Sequence, residues 1–283
     1  MNVLVTGAKG QLGFDVVKEL KSRGHGVIGI DIEDLDITKE KEVLTFLTEL
    51  RPDVLIHCAA YTAVDAAEEH KELCYLINEK GTKYIAKACA LLDIKLMYIS
   101  TDYVFDGVGL RPFAPDDVCV PINVYGHSKY LGEQQVEKHV SRFFILRISW
   151  VFGGNGNNFV KTMLRLAKEK SELNVVADQW GSPTYTKDVS RLIGDMILTE
   201  KYGYYHATNE GFCSWSDFAK QVFEEAGLKV KVNPVASTSY PTKALRPSNS
   251  RLSKEKLGVQ GFSPLPPWQQ ALKNYLREEK GSF

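Results

Sequence analysis

Val3-Leu4-Val5-Thr6-Gly7-Ala8-Lys9-Gly10-Gln11-Leu12-Gly13 carries a short β-branched run straight into three glycines and then into a helical pattern. Gly7, Gly10 and Gly13 permit a tight turn and close backbone approach, while the N-terminus of the helix they open attracts a pyrophosphate. Glycines that end a strand can also do no more than turn the chain, so the rest of the sequence has to agree. Working outward, Val27-Ile-Gly-Ile, Val54-Leu-Ile-His, Leu96-Met-Tyr-Ile and Phe143-Phe-Ile-Leu recur as short apolar runs, separated by helical patterns such as Leu12 to Arg23 and Asn78 to Leu92. That alternation predicts an α/β fold, a Rossmann-type doubly wound parallel sheet. After about Trp150 the rhythm changes to Gly/Asn-rich turns, a helix-like Phe159 to Lys168, a strand-like Asn174-Val-Val-Ala and Pro-rich stretches. The expected organisation is a dinucleotide-binding domain over 1–152 and a smaller, mainly substrate-binding C-terminal lobe over 153–283, with some segments returning to the first domain.

Composition narrows the function classes. Across 283 residues, 35 acidic side chains balance 35 basic ones, so nothing predicts electrostatic binding to nucleic acid or to an anionic membrane. The start of the chain enters a strand pattern without a basic leader, and no apolar run approaches the roughly 20 residues of a spanning helix. A cytoplasmic protein is expected. Cys58, Cys74, Cys89, Cys119 and Cys213 are odd in number, without a Cys-x2-Cys pair, and read as free thiols.

The remaining signals fall after the strands, on the carboxyl edge where open α/β sheets bind ligands. Asp31 closes the second strand, where a carboxylate accepts adenosine ribose hydroxyls and favours NADH; Lys9 pulls the other way, toward a 2′-phosphate. NADPH and NADH both stay open as cofactor. Asp36-Ile37 and Ala59-Ala60-Tyr61-Thr62 follow the second and third strands, the small alanines leaving room for a flat cofactor or for plain close packing. Thr101-Asp102-Tyr103 follows the fourth strand and is placed to face a reacting carbonyl, although Thr101 is equally suited to capping a turn. Tyr125 and Lys129 stand four apart in Asn-Val-Tyr-Gly-His-Ser-Lys. On a helix they share a face, so the ammonium is expected beside the phenol, bringing its pKa of about 10 closer to the working pH. That pairing points to hydride chemistry.

Thr6-Gly7-Ala8-Lys9-Gly10-Gln11-Leu12-Gly13, Ser100-Thr101-Asp102-Tyr103-Val104-Phe105, Asn123-Val124-Tyr125-Gly126-His127-Ser128-Lys129, Asp178-Gln179-Trp180-Gly181-Ser182-Pro183-Thr184 and Arg246-Pro247-Ser248-Asn249-Ser250-Arg251-Leu252 together resemble the dTDP-4-dehydrorhamnose reductase family, over nearly the whole chain. The glycine and Tyr-x3-Lys motifs are common to extended short-chain dehydrogenases and reductases; the Ser-Thr-Asp-Tyr-Val-Phe and Arg-Pro-x-Asn-Ser-Arg-Leu segments are much more particular. The resemblance implies reduction of the C4 ketone of dTDP-6-deoxy-L-lyxo-4-hexulose to dTDP-L-rhamnose, the final step of dTDP-rhamnose biosynthesis. It implies Tyr125 as proton donor, Thr101 holding the ketone oxygen, and Lys129 tuning the phenol and gripping the ribose. Gly7, Lys9, Gly10, Gln11, Leu12 and Gly13 would then meet the cofactor with Asp31, Asp36, Ile37, Ala59, Ala60, Tyr61 and Thr62. Asp102, Tyr103 and Trp150 match positions lining the sugar or base pocket, Trp150 offering an aromatic face. Arg246 and Arg251 are candidates for the diphosphate, and Asn158 and Gln179 for sugar hydroxyls.

A dTDP-sugar is therefore the expected partner, and a homodimer is compatible with the family. Some members hold magnesium between subunits. Here Asp15 matches one such acid, yet Lys187 stands where another is expected, which weighs against a metal. A nucleotide-sugar epimerase of the same superfamily, or a non-catalytic regulatory subunit on the same fold, would share much of this pattern. Stoichiometric use of reduced cofactor separates the first, and the intact Thr101, Tyr125 and Lys129 argue against the second.

Overall fold

The computed structural model describes residues 1–279. Five strands, β1 (Asn2–Thr6), β2 (Gly26–Ile30), β3 (Val54–His57), β4 (Lys95–Thr101) and β5 (Phe143–Ile148), form a parallel sheet in the order β5-β4-β3-β1-β2. A sixth strand, Gly203–His206, adds to the β5 edge, also parallel. Sequence neighbours β2 and β3 lie on opposite sides of β1, so the connections diverge there and open a crevice at the carboxyl ends of β1 and β3.

The apolar runs are continuous because both faces of the sheet are covered. Side chains alternate between faces, and the clusters follow that period. Val3 and Val5 join Ile56, Met97 and Phe144 on one face, beneath helix α1 (Gln11–Ser22) and the Thr186–Met196 helix. Leu4 joins Leu55, Leu96, Tyr98 and Ile145 on the other, beneath α2 (Glu40–Leu50) and the Thr82–Leu92 helix. Each of these fully buried large side chains contributes about 1.5–3 kcal/mol by leaving water. The helix expected over 78–92 continues a helical run that begins at Lys71, through a π-type turn at Leu76–Gly81.

A separate core of Phe152, Val160, Tyr185, Phe218, Val222, Trp268 and Tyr275 holds the remaining elements together. The helix read from Phe159 spans Phe159–Leu166, and the strand read from Asn174 spans Glu172–Val176, paired in parallel with Lys231–Val235. All five cysteines are free thiols. Among the described residues, no helix is long and apolar enough to cross a membrane.

Candidate active site

A cleft of about 1070 Å³ opens along the carboxyl edge, from the glycine loop past the end of β4 to the junction with the second core. Gly7 has φ +67°, and a Cβ there would lie 2.7 Å from the Ala59 nitrogen; at Gly13 a Cβ would lie 2.2 Å from the Gly7 carbonyl oxygen. Both positions therefore demand glycine, the first by conformation and contact, the second by contact. No side chain caps α1 at Gly10, so the N–H groups of its first turn are offered to the cleft that Gly10, Gln11, Leu12 and Gly13 line. This cradle fits a dinucleotide: an anion-seeking helix end, a backbone stripped of side chains, and an elongated cleft leading away from it.

The Asp31 carboxylate accepts the Lys9 backbone N–H at 3.1 Å, fixing the acid beside the loop. The Lys9 ammonium pairs with Glu33 at 3.0 Å on the exposed surface. Asp36 accepts both the N–H and the hydroxyl of Thr38, which together hold its carboxyl below the ordinary range. Ile37 is buried but reaches the cleft wall, as do Ala59, Ala60 and Thr62. Tyr61 does not line the cleft; its backbone N–H and carbonyl are both bonded to the Asn78 side chain, at 2.8 and 3.0 Å. Asn78 also donates to Ser128 at 2.9 Å. It thereby ties the Ala59–Thr62 segment to the Val124–His139 helix, a role invisible from local pattern.

That helix starts where Asn123 accepts the Gly126 N–H at 2.7 Å and Glu68 accepts the Val124 N–H at 2.9 Å. It brings Tyr125 to the cleft wall that Thr101 also lines, near enough for Thr101 to draw the phenol pKa down against its burial. Thr101 also donates to Asp102 at 3.0 Å and accepts the Tyr103 N–H at 3.2 Å, so it caps the Asp102–Val104 turn while facing the phenol. The capping role read for Thr101 is the one the structure shows. Tyr103 stands edge-on to Tyr125, with ring centroids 5.8 Å apart.

The electrostatics depart from expectation. Burial pushes the Tyr125 phenol well above its ordinary value, against a lowering influence of Thr101. The Lys129 ammonium instead donates to the Ile99 carbonyl at 2.7 Å and lies 4.0 Å from the Tyr98 ring centroid. Burial lowers its pKa to about 7. Helical spacing put both groups on one face, but the carbonyl at the end of β4 and a ring beneath it decide where the flexible lysine chain points. Asp102 is likewise raised to about 6 by burial, against lowering influences of Ser250 and of the bonded Thr101.

At the far end, Trp150 lines the cleft in a left-handed conformation, φ +48°. Its indole is stacked on Trp215, centroids 3.6 Å apart and planes within 11°, and a Cβ on Gly181 would stand 2.7 Å from it. One ring face expected for a ligand is thus covered by Trp215, which itself lines the cleft and was not foreseen. Arg246 reaches the cleft, its guanidinium bonded to Asp65 at 2.6 Å and to the Tyr103 hydroxyl at 3.1 Å.

Besides Tyr61, three further expected site residues lie outside the cleft lining. Asn158 is a buried helix cap, accepting the Lys161 N–H at 3.0 Å and donating to the Gly153 carbonyl at 2.9 Å. Arg251 lies over the Trp180 ring, 4.8 Å from its centroid, and donates to Asn249 at 3.1 Å. Gln179 is half-buried on the segment before Trp180. Besides Trp215, the sequence reading missed Ser149, which follows β5 as Thr101 ends β4; its place at a strand's carboxyl end was the available signal. At the positions considered for magnesium, Asp15 accepts from Thr186 and Lys187 pairs with Glu278. Among the described residues, no group of three His, Cys, Asp or Glu is arranged to hold a metal.

The chain is 40% identical over 280 residues to the spore coat polysaccharide biosynthesis protein SpsK of Bacillus subtilis, covering 99% of this chain and 98% of that one. It is 43% identical over 286 residues to dTDP-4-dehydrorhamnose reductase of Aggregatibacter actinomycetemcomitans, covering 96% and 97%. The crystal structure of dTDP-4-dehydrorhamnose reductase from Bacillus anthracis in complex with NADP superimposes with a TM-score of 0.96 at 45% identity, covering 98% of this chain and 99% of that one. UDP-glucose 4-epimerase of Thermus thermophilus in complex with NAD, at 21% identity and a TM-score of 0.83, shares the fold. The RmlD substrate binding domain family matches residues 1–280, and to that family this chain belongs.

Proposed function

We propose that the protein is an NAD(P)H-dependent reductase that converts the C4 ketone of dTDP-6-deoxy-L-lyxo-4-hexulose to the hydroxyl of dTDP-L-rhamnose, the last step in making that activated sugar. The observation that carries the reading is the junction of Thr101 and the Tyr125 phenol in the same cleft that begins at the glycine loop. A bound reduced nicotinamide supplies a hydride to a carbonyl carbon. Thr101 and Tyr125 then act on the carbonyl oxygen: the Thr101 hydroxyl turns from Asp102 to donate to it, and the Tyr125 hydroxyl gives it a proton as negative charge develops. An alkoxide is far more basic than a phenolate, so this transfer stays favourable although burial has raised the phenol pKa. That elevation keeps the proton on Tyr125 until the oxygen demands it.

Lys129, close behind, places a titrating cation at the end of β4, within the cleft wall. Its assigned role is to attract the phenolate left after proton transfer and to bind the ribose. The glycine loop and α1 take the diphosphate of the cofactor, with Asp31 at its adenosine ribose and Lys9 beside it. Arg246 faces the sugar nucleotide's diphosphate; Asp102, Tyr103 and Trp150 wall the sugar and base. The division at about residue 152 belongs to the same proposal, the first part holding the cofactor and the remainder chiefly the sugar nucleotide. Both reactants are charged, water-soluble nucleotides, which suits the cytoplasmic placement expected.

The test is the loss of reduced-nicotinamide absorbance when purified protein meets the 4-ketosugar nucleotide, run in parallel with NADPH and NADH. Stoichiometric oxidation with dTDP-rhamnose formed supports the reading and ranks the cofactors. Product formed without net oxidation, or no turnover by folded protein, sinks it.

A further inference from the structure

Asp65, in the short Val64–Ala67 helix, uses both carboxylate oxygens on one segment of the C-terminal half: Oδ2 accepts from Arg246 Nη2 at 2.6 Å and Oδ1 accepts the Ala244 N–H at 3.2 Å. Residues on either side join the same seam. Lys243 pairs with Glu69, and the Leu245 carbonyl accepts from the Asn123 side chain at 2.8 Å. Residues 243–246 are thus fastened, one after another, to the Val64–His70 stretch and to the cap of the helix carrying Tyr125. Leu245 is 69% exposed whereas Ala244 is fully buried, so the segment is anchored by this seam and by one small side chain.

Arg246 ends the seam inside the cleft, with its second bond to the Tyr103 hydroxyl. A guanidinium carries more N–H donors than these two bonds use, in a rigid fork suited to phosphate oxygens. Held at two points, the fork is presented already ordered, so little side-chain freedom remains to be lost when an anion arrives.

We infer that Asp65 is a positioning residue: it holds Arg246 over the cleft and thereby sets affinity for the diphosphate of the sugar nucleotide, without touching substrate or the reacting atoms. This rests on the reductase reading for the identity of the ligand. An aspartate whose role is only to secure the fold would affect cofactor, substrate and stability together; one that acts through Arg246 affects the anionic substrate alone.

The experiment compares wild type, D65N, D65E, R246Q and the D65N/R246Q double variant. Affinity for dTDP is read by calorimetry, and KM for sugar nucleotide and cofactor, kcat and Tm are measured alongside. The expected result for D65N is a roughly three- to tenfold weaker Kd for dTDP, the scale of re-ordering one long side chain on binding. Sugar-nucleotide KM rises in parallel, while kcat and cofactor KM hold. D65E restores part of the loss, and in the R246Q background D65N has no further effect on dTDP affinity. Unchanged dTDP affinity in D65N, a D65N loss undiminished in R246Q, or a parallel fall in cofactor affinity and Tm overturns the inference. Wild type that binds dTDP yet leaves reduced nicotinamide unoxidised overturns the reductase reading instead, and the D65N binding ratio still decides the role of Asp65.

Discussion

Tyr125 and Asp102 are the two acids nearest the proposed chemistry, and burial moves both in the same direction. For Tyr125 the consequence is a proton retained through the working pH range. Removing only that hydroxyl in Tyr125→Phe leaves the ring packed against Ala67, Cys74 and Val124. Turnover is expected to fall by roughly 10²–10⁴-fold, the worth of one positioned general acid, with cofactor affinity within about twofold of wild type. Steady-state kinetics with a cofactor titration check this, and near-normal turnover would remove Tyr125 from the mechanism. For Asp102 the consequence is a stability cost. Its folded pKa of about 6 lies above the ordinary 3.8. Below pH 3.8 both states carry the proton and nothing is lost; between the two values the folded state keeps a proton that the unfolded chain has given up, so stability falls as pH rises. Above about 6 the penalty is complete, at most about 3 kcal/mol. Asp102→Asn is therefore expected to be more stable than wild type by a margin that grows from pH 4 to 6 and then levels, measured by denaturant unfolding across that range. A margin independent of pH would contradict it. At this scale the sequence was most informative where a motif is local. Gly7, Gly13, Tyr125 and Lys129 are spaced on a single loop or helix, whereas Asp65 and Arg246 meet across 181 residues. Asn158 and Arg251 looked like ligand-binding groups because polarity alone does not reveal that a neighbour's N–H or ring already claims them.

The elements that position the site are secured mainly at their ends. Asn123 both caps the Val124–His139 helix and grips the Leu245 carbonyl, and it is nearly fully buried. Asn123→Ala removes the cap and strands a partly buried carbonyl, so a loss of about 1–2 kcal/mol is expected in chemical denaturation. A cost under about 0.5 kcal/mol would mean that Glu68, on the Val124 N–H, is sufficient alone. Strands β1, β3, β4 and β5 were legible because burial on both faces writes them as unbroken apolar runs; β2 keeps such a run although Ile28 is exposed at the sheet edge. The Gly203–His206 edge strand was not: four residues with a leading glycine and two tyrosines carry too little pattern, and their strand identity comes from pairing with β5. The two-residue pairings, such as Val151–Phe152 with Thr184–Tyr185, exist only through tertiary contact.

On the scale of the whole molecule, the chain passes out of the main sheet and back into it. The face of the sheet beneath α1 is completed by Val189, Leu192, Ile193 and Met196, and by Tyr205, Phe262 and Leu265. A fragment ending at Phe152 would keep α1 but take from Val16, Leu20 and Phe144 the late-chain side chains that complete their cluster. It is expected to lack a cooperative thermal transition and fixed tertiary near-ultraviolet dichroism. Cooperative unfolding of that fragment would show a cofactor domain that stands alone. The same return ties the glycine loop to the late-chain segments: Asn155 donates to the Lys9 carbonyl at 2.6 Å, and Asn158 to Gln11 at 3.3 Å. The Trp150–Trp215 pair sits where these parts converge on the cleft. Two indoles stacked at 3.6 Å couple their transition dipoles, so the protein carries its own optical gauge. A bisignate dichroism signal, absent in a Trp215→Phe variant, would report without any label whether the distant halves of the chain hold the cleft in register as ligands come and go.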